Sequence, residues 1–272
     1  MPLRSNLAEM AWTGILSGLI SGLFLGLLIY FLNVPLIQEA EKFEVSPASE
    51  KSQVHTHSHG QNTHSHSHPP DTLDKSKLQE DTGVVSKRNL WTFLGSLILG
   101  IGYGILFSLW LHFLPFHSFE KNSSILRTLL YSILFSVAGF LIFFGIPALG
   151  LPPELPGRLA GEADYAARQS WWYLCVISCF LGFAIFSATL TYSQLGKPWK
   201  WGIASFVLLV GTVLPFIYGA PIISEESLAP LDLRSRFVKI TWIVNLLFWL
   251  CLSLSFFLQR RRSILRSSLE HA

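Results

Sequence analysis

The sequence predicts an all-α integral membrane protein: a bundle of about six transmembrane helices with a long, disordered, His-rich external loop. Three observations carry that expectation. Half of the 272 residues are hydrophobic and only 14% are charged, where a soluble chain averages about 25% charged. The apolar residues fall in charge-free runs of about twenty, the length that crosses a hydrocarbon layer about 30 Å thick as a helix. Between the first two runs lies a polar stretch, 45–88, with almost no large apolar side chain and six of the nine histidines. Such a stretch cannot bury enough surface to offset its ordering entropy.

The expected spans are about 11–32, 91–113, 128–149, 170–190, 201–220 and 238–258. They divide the chain into an N-terminal part with the first span and its acidic exit (1–44), the His-rich loop (45–88), five further helices joined by Pro-rich loops (89–258) and a basic tail (259–272). In each span the backbone must close its own hydrogen bonds, because lipid offers no partner. The first span, AWTGILSGLISGLFLGLLIYFL, places Gly14, Gly18, Gly22 and Gly26 at four-residue spacing. On a helix these stack into a groove against which another helix can pack backbone to backbone. Arg4 precedes the run, but the run is longer than a signal peptide's apolar core and no A-x-A site follows, so it is expected to be retained. Its exit, NVPLIQEAEKFE, carries Glu39, Glu41 and Glu44.

The second span holds Gly100 and Gly104 and closes at Pro115, with His112 and His117 flanking. The third runs into GIPALGLPPELPG, whose four prolines predict a stiff, bent loop rather than regular helix. Trp171 and Trp172 open the fourth span at the height of an interfacial aromatic belt. A short turn, LGKPWKW, joins spans four and five. A loop with Glu225, Glu226 and Asp232 precedes span six, which carries Asn245 in its middle.

Orientation rests on the triplet Arg260, Arg261 and Arg262 after the last span, a cytoplasmic anchor. An even number of spans then puts both termini inside. The inner segments sum to +6 and the outer ones to −3, with 14 of the 17 acidic residues outside. An acidic outer face concentrates cations, although the same bias follows from topology alone. The small net charge of +3 calls for no nucleic-acid partner.

The strongest chemical signal is the pair of H-x-H-x-H runs: His55, His57, His59, His64, His66 and His68. Imidazole is mostly neutral at pH 7 and ligates Co, Ni, Cu and Zn, and a flexible chain lets several rings wrap one ion. The bland alternative is a low-complexity spacer. Glu39 and Glu41 extend the candidate metal site, but with Glu44 they can share a cation only if the backbone leaves helical geometry. Cys175 and Cys179 lie four apart on one helix face and read as packing thiols rather than ligands. Asn245 reads as a tie between helices. No span has an Asp, Glu, Lys or Arg near its centre, which suits a subunit working with a partner better than an autonomous ion-coupled pump. No nucleotide, hydrolase or zinc-protease motif is present, so no enzyme and no prosthetic group is expected.

The glycine-spaced first helix leading to PLIQEAEKFE, the LGLPPELPG loop followed by AARQSWW, and LPFIYGAP before NLLFWL together resemble the CbtA family of probable cobalt transporter subunits. The resemblance covers most of the chain outside 45–88. It implies a bacterial inner-membrane protein of cobalt uptake, feeding cobalamin synthesis, beside a small one-span partner, CbtB, with its own histidines. The family is drawn with five or six spans. This chain departs from the pattern by its large histidine insertion.

The expectation is therefore inward movement of Co²⁺, with the histidine loop capturing the ion outside. Glu39, Glu41 and Glu154 or Glu225 then pass it to the bundle. The alternatives are a non-transporting metal-binding accessory or sensor scaffold, and nickel or zinc transport or efflux. Membrane lipid and a divalent metal ion are the other expected partners.

Overall fold

The computed structural model describes residues 7–43, 75–113, 124–155, 162–222 and 228–270, with side chains for 7–43, 87–112, 124–155, 164–222 and 228–266. The histidine tract, Glu44, His117, Glu225 and Glu226 lie outside the described residues. The described residues form helices, with no strand among them. In chain order these are α1 (Leu7–Leu28), α2 (Val34–Glu41), α3 (Lys75–Phe113), α4 (Ile125–Phe140), α5 (Ile146–Gly150), α6 (Glu162–Tyr192), α7 (Lys197–Tyr218) and α8 (Leu231–Glu270). Six stretches are long and apolar enough to cross a membrane: Leu7–Glu41, Lys87–His112, Ile125–Gly150, Asp164–Tyr192, Lys197–Tyr218 and Leu231–Arg266. They coincide with the six expected spans. The protein is a multi-pass, all-α membrane bundle.

One end of the bundle carries Leu7, Phe113, Ile125, the α6–α7 turn and the end of α8. The opposite end, here termed the loop face, carries α2, the start of α3, α5 and the start of α8. α1 packs on α3 and α8, α4 packs on α8, and α7 packs chiefly on α6.

The glycine face of α1 meets α3 antiparallel. Gly14 sits against Gly104 and Ser108, Gly18 against Gly100, Gly22 against Ser96, and Gly26 against the Phe93 ring. A Cβ on Gly18 would lie 2.8 Å from the Ile101 Cα, and one on Gly22 would lie 2.8 Å from the Ser96 carbonyl oxygen. Only the absence of a side chain permits this approach. Because lipid tails are as apolar as leucine, such packing, not expulsion from water, holds the pair together. The interior of the bundle is aromatic. Phe107 and Trp110 of α3 interlock edge to face with Phe135 of α4, and Phe107 meets Phe256 of α8 at 5.3 Å. Each such pair adds roughly 0.5–1.5 kcal/mol.

Three prolines beyond the first turn of a span shape the rest. Pro35 and Pro147 lie at the start of α2 and α5. Each is preceded by a wide π-helical turn, Ile29–Asn33 and Leu141–Gly145. A proline cannot donate to the carbonyl four residues back, and its ring collides with it. Inserting a wide turn moves that carbonyl aside, so the helix continues. GIPALG is consequently helical through Gly150, where sequence pattern predicts bent loop; irregular backbone begins only at Leu151.

Within the wide turn before Pro147, Phe143 O accepts from Trp172 Nε1 at 3.3 Å. Pro215 in α7 strips Gly211 O of its donor, and the Cys179 thiol points at that oxygen at 3.7 Å. In a solvent without donors, neighbouring helices supply the missing ones.

Two further expectations are corrected. Trp171 is not part of a lipid-facing belt. It is 3% exposed, stacked where a Cβ on Gly150 would be, with Nε1 donating to Pro147 O at 3.4 Å. The second span's helix starts at Lys75, so 75–88 is helical rather than part of a structureless loop. Its Lys, Glu and Gln are good helix formers, and the apolar span continuous with them removes the need for a separate nucleus.

Candidate functional site

Several of the polar contacts that join distant parts of the chain lie along the seam between α8 and α1 with the wide turn that follows it. Near the first end, Arg260 Nη1 donates to Glu9 Oε1 at 3.1 Å, and Ser263 Oγ donates to the same oxygen. Arg260 is 7% exposed. One turn inward, Gln259 Nε2 donates to Ser17 Oγ at 3.0 Å. Thr13, Ser17 and Ser21 form a buried small-polar stripe along α1. Thr13 and Ser21 turn their hydroxyls back onto the α1 carbonyls of Glu9 and Gly18. At the loop face the seam ends in Asn33, whose Nδ2 donates to Thr241 Oγ1 of α8 at 2.9 Å. Asn33 is 6% exposed, and its Oδ1 is buried with no partner.

Above this seam sits an apolar cap of Leu36 and Ala40 from α2, Leu155, and Ala229, Leu233 and Phe237 at the start of α8. Two ion pairs flank it. Arg88 pairs with Glu41, and Arg168 Nη1 donates to Glu154 Oε2 at 2.8 Å. Both pairs are partly exposed, so each contributes at most about 1 kcal/mol.

The sequence-predicted site residues fall as follows. His55, His57, His59, His64, His66 and His68 lie outside the described residues. Glu39 is exposed on α2, and Glu41 is on the same helix held by Arg88. Two positions apart on a regular helix, they point to different faces. The departure from helix that a shared cation requires does not occur between them. Glu154 is already paired. Among the described residues no three His, Cys, Asp or Glu side chains come together as a metal cluster. Cys175 and Cys179 are buried in the α6–α7 contact, where Gly182 meets Gly211. Asn245 does not tie helices: its Nδ2 donates to Thr241 O of its own helix at 2.9 Å.

The tie is made by Asn33, which sequence reading passed over as part of the span's exit. The signal present there was a lone amide two residues before a proline, between two apolar runs.

A family model described as "Probable cobalt transporter subunit (CbtA)" matches residues 7–259, which include all six spans. The chain belongs to the CbtA family. No curated protein and no solved structure matches it. Within this CbtA-family chain the match takes in the glycine face, both wide turns and the Asn33–Thr241 contact. The family's printed description makes cobalt the expected cargo of the bundle.

Proposed function

We propose that this chain is the membrane subunit of a cobalt uptake system in a bacterial inner membrane, with both termini cytoplasmic and the loop face external. Family membership across all six spans is the observation that carries the reading. In this scheme His55, His57, His59, His64, His66 and His68 capture Co²⁺ outside. Glu39 and Glu41, at the external end of α2, raise the local cation concentration and pass the ion toward the α1–α8 seam. Neutral imidazoles suit capture because they bind borderline divalent ions at neutral pH. A small one-span CbtB-like subunit completes the assembly.

Uptake of radiolabelled Co²⁺ at limiting concentration tests the proposal in cells with the gene, without it, and with residues 55–68 deleted. Uptake is expected to require the gene and to fall severalfold on deletion. Equal uptake with and without the gene ends the transport reading. Unchanged uptake after deletion ends the capture role. Labelling a cysteine placed at position 60 with a membrane-impermeant reagent fixes the orientation, and protection in intact cells would reverse the direction proposed.

A further inference from the structure

The end of the bundle opposite the loop face carries an uneven balance of charge. Among the described side chains its one carboxylate is Glu9, which Arg260 and Ser263 already hold. The same end carries Arg262 and Arg266 on α8, and Lys197 and Lys200 at the α6–α7 turn. None of these four side chains has an ion-pair partner among the described residues.

α8 does not stop where its apolar span does. It continues as helix to Glu270, and its two sides differ. The inner side is fixed to the bundle: Arg260 and Ser263 reach Glu9, and Ile264 packs against the aromatic core. The outer side exposes Arg262, Leu265 and Arg266, which are three and four residues apart and so are neighbours on one face. The α6–α7 turn repeats the pattern as Lys197, Pro198, Trp199, Lys200 and Trp201. Its two indoles are 73% and 56% exposed. Basic heads set beside exposed leucine and tryptophan match the boundary between headgroups and hydrocarbon. There long cationic side chains reach the phosphates and indoles sit at headgroup level. Both clusters lie at the ends of spans, where that boundary falls. A soluble acidic partner would use the charges but leave the indoles and Leu265 without a role.

We propose that this end of the bundle is a binding surface for anionic phospholipid headgroups, with Arg262 and Arg266 as one contact and Lys197 and Lys200 as the other. The proposal is independent of the cargo and of the direction of transport. A leaflet containing anionic lipid carries a negative surface potential, and each Lys or Arg held near it adds to the attraction. The other side of the same stretch of α8 carries the Glu9 contact. Headgroups on the outer side therefore brace the joint between α1 and α8.

Native mass spectrometry of the purified full-length chain tests this in micelles holding equal parts of phosphatidylglycerol and phosphatidylcholine. Bound phosphatidylglycerol should exceed bound phosphatidylcholine by about tenfold or more. The fourfold variant Lys197→Gln, Lys200→Gln, Arg262→Gln, Arg266→Gln should bring the ratio close to one. Arg234→Gln with Arg236→Gln, which removes two charges at the loop face, should leave the ratio unchanged. Excess inorganic phosphate should not displace the lipid, because it lacks the acyl chains that the indoles and Leu265 meet. Phosphatidylglycerol should also raise Tm more in the unaltered chain than in the fourfold variant. Equal binding of the two lipids overturns the proposal and leaves the patch to an acidic soluble partner. So does a fourfold variant that keeps its preference, or a loop-face variant that loses as much, which would reduce the effect to net charge. Displacement by inorganic phosphate overturns it in favour of a free-anion site. Should the fourfold variant fail to fold, the lysine pair and the arginine pair are replaced separately, and each should lower the ratio severalfold.

Discussion

Replacing Gly18 with alanine tests whether the α1–α3 seam depends on backbone contact. The added Cβ would lie 2.8 Å from Ile101 Cα and closer still to Gly100 O. Ordinary contact between carbons is about 3.5–4.0 Å, so the helices must part by about 1 Å. Both obstructing atoms are backbone, and no rotamer change relieves them. Overpacking of this kind costs roughly 1–3 kcal/mol. Gly102, on the same α3, has nothing within 4 Å of the corresponding position. Gly102→Ala should therefore be neutral or gain up to about 1 kcal/mol of helix propensity. At roughly 2–4 °C per kcal/mol for a chain of this size, the two variants should differ in Tm by on the order of 5–10 °C. Thermal unfolding in detergent, followed by tryptophan fluorescence and by retention of monodisperse protein, reads the difference. Equal Tm values would mean that close glycine packing does not hold α1 in place.

Two other outcomes follow from the polar contacts. Trp172→Phe removes the indole donor to the Phe143 carbonyl and should cost about 0.5–1.5 kcal/mol; an unchanged Tm would refute the assignment. Glu9→Gln keeps a hydrogen-bond acceptor for Arg260 but removes the charge, and should lower stability by about 1 kcal/mol. Because Arg260 is buried, that loss should persist at high salt; a loss that vanishes in 1 M NaCl would place the pair in bulk water instead.

The spans were legible because a run of about twenty uncharged apolar residues has few other uses. The glycine face of α1 was legible for a related reason: four glycines at helical spacing weaken a helix in water and serve a purpose only where another backbone comes close. What escaped was the behaviour of polar and imino residues inside lipid. Pro147 reads as a helix terminator because in water it usually is one. In the bundle a wide turn absorbs the defect, and Trp172, which donates into that turn, lies 25 residues away in sequence, beyond any local pattern. Trp171 reads as interfacial from its position in the chain, whereas Gly150 opens a slot that buries it. Asn245 looked like the interhelical tie because it sits mid-span, yet an amide mid-helix can bond its own i−4 carbonyl at no entropic cost of docking. Glu39 and Glu41 were legible as an acidic exit, but not the continuation of helix through them, nor Arg88 as the partner of Glu41.

These contacts also bear on the proposed handling of a divalent cation by a chain without Asp, Glu, Lys or Arg at its span centres. Stripping such an ion of water in hydrocarbon is prohibitive unless ligands replace the shell. Fixed carboxylates would replace it well but retain the ion. The described spans instead offer hydroxyls, amides and backbone carbonyls, and of the loop-face carboxylates Glu41 and Glu154 are engaged with Arg88 and Arg168. Between the Glu9–Arg260 pair and the loop face, the α1–α8 seam offers neutral hydroxyls and amides. The wide turn Ile29–Asn33 carries α2 and the apolar cap on one side and the glycine-locked part of α1 on the other.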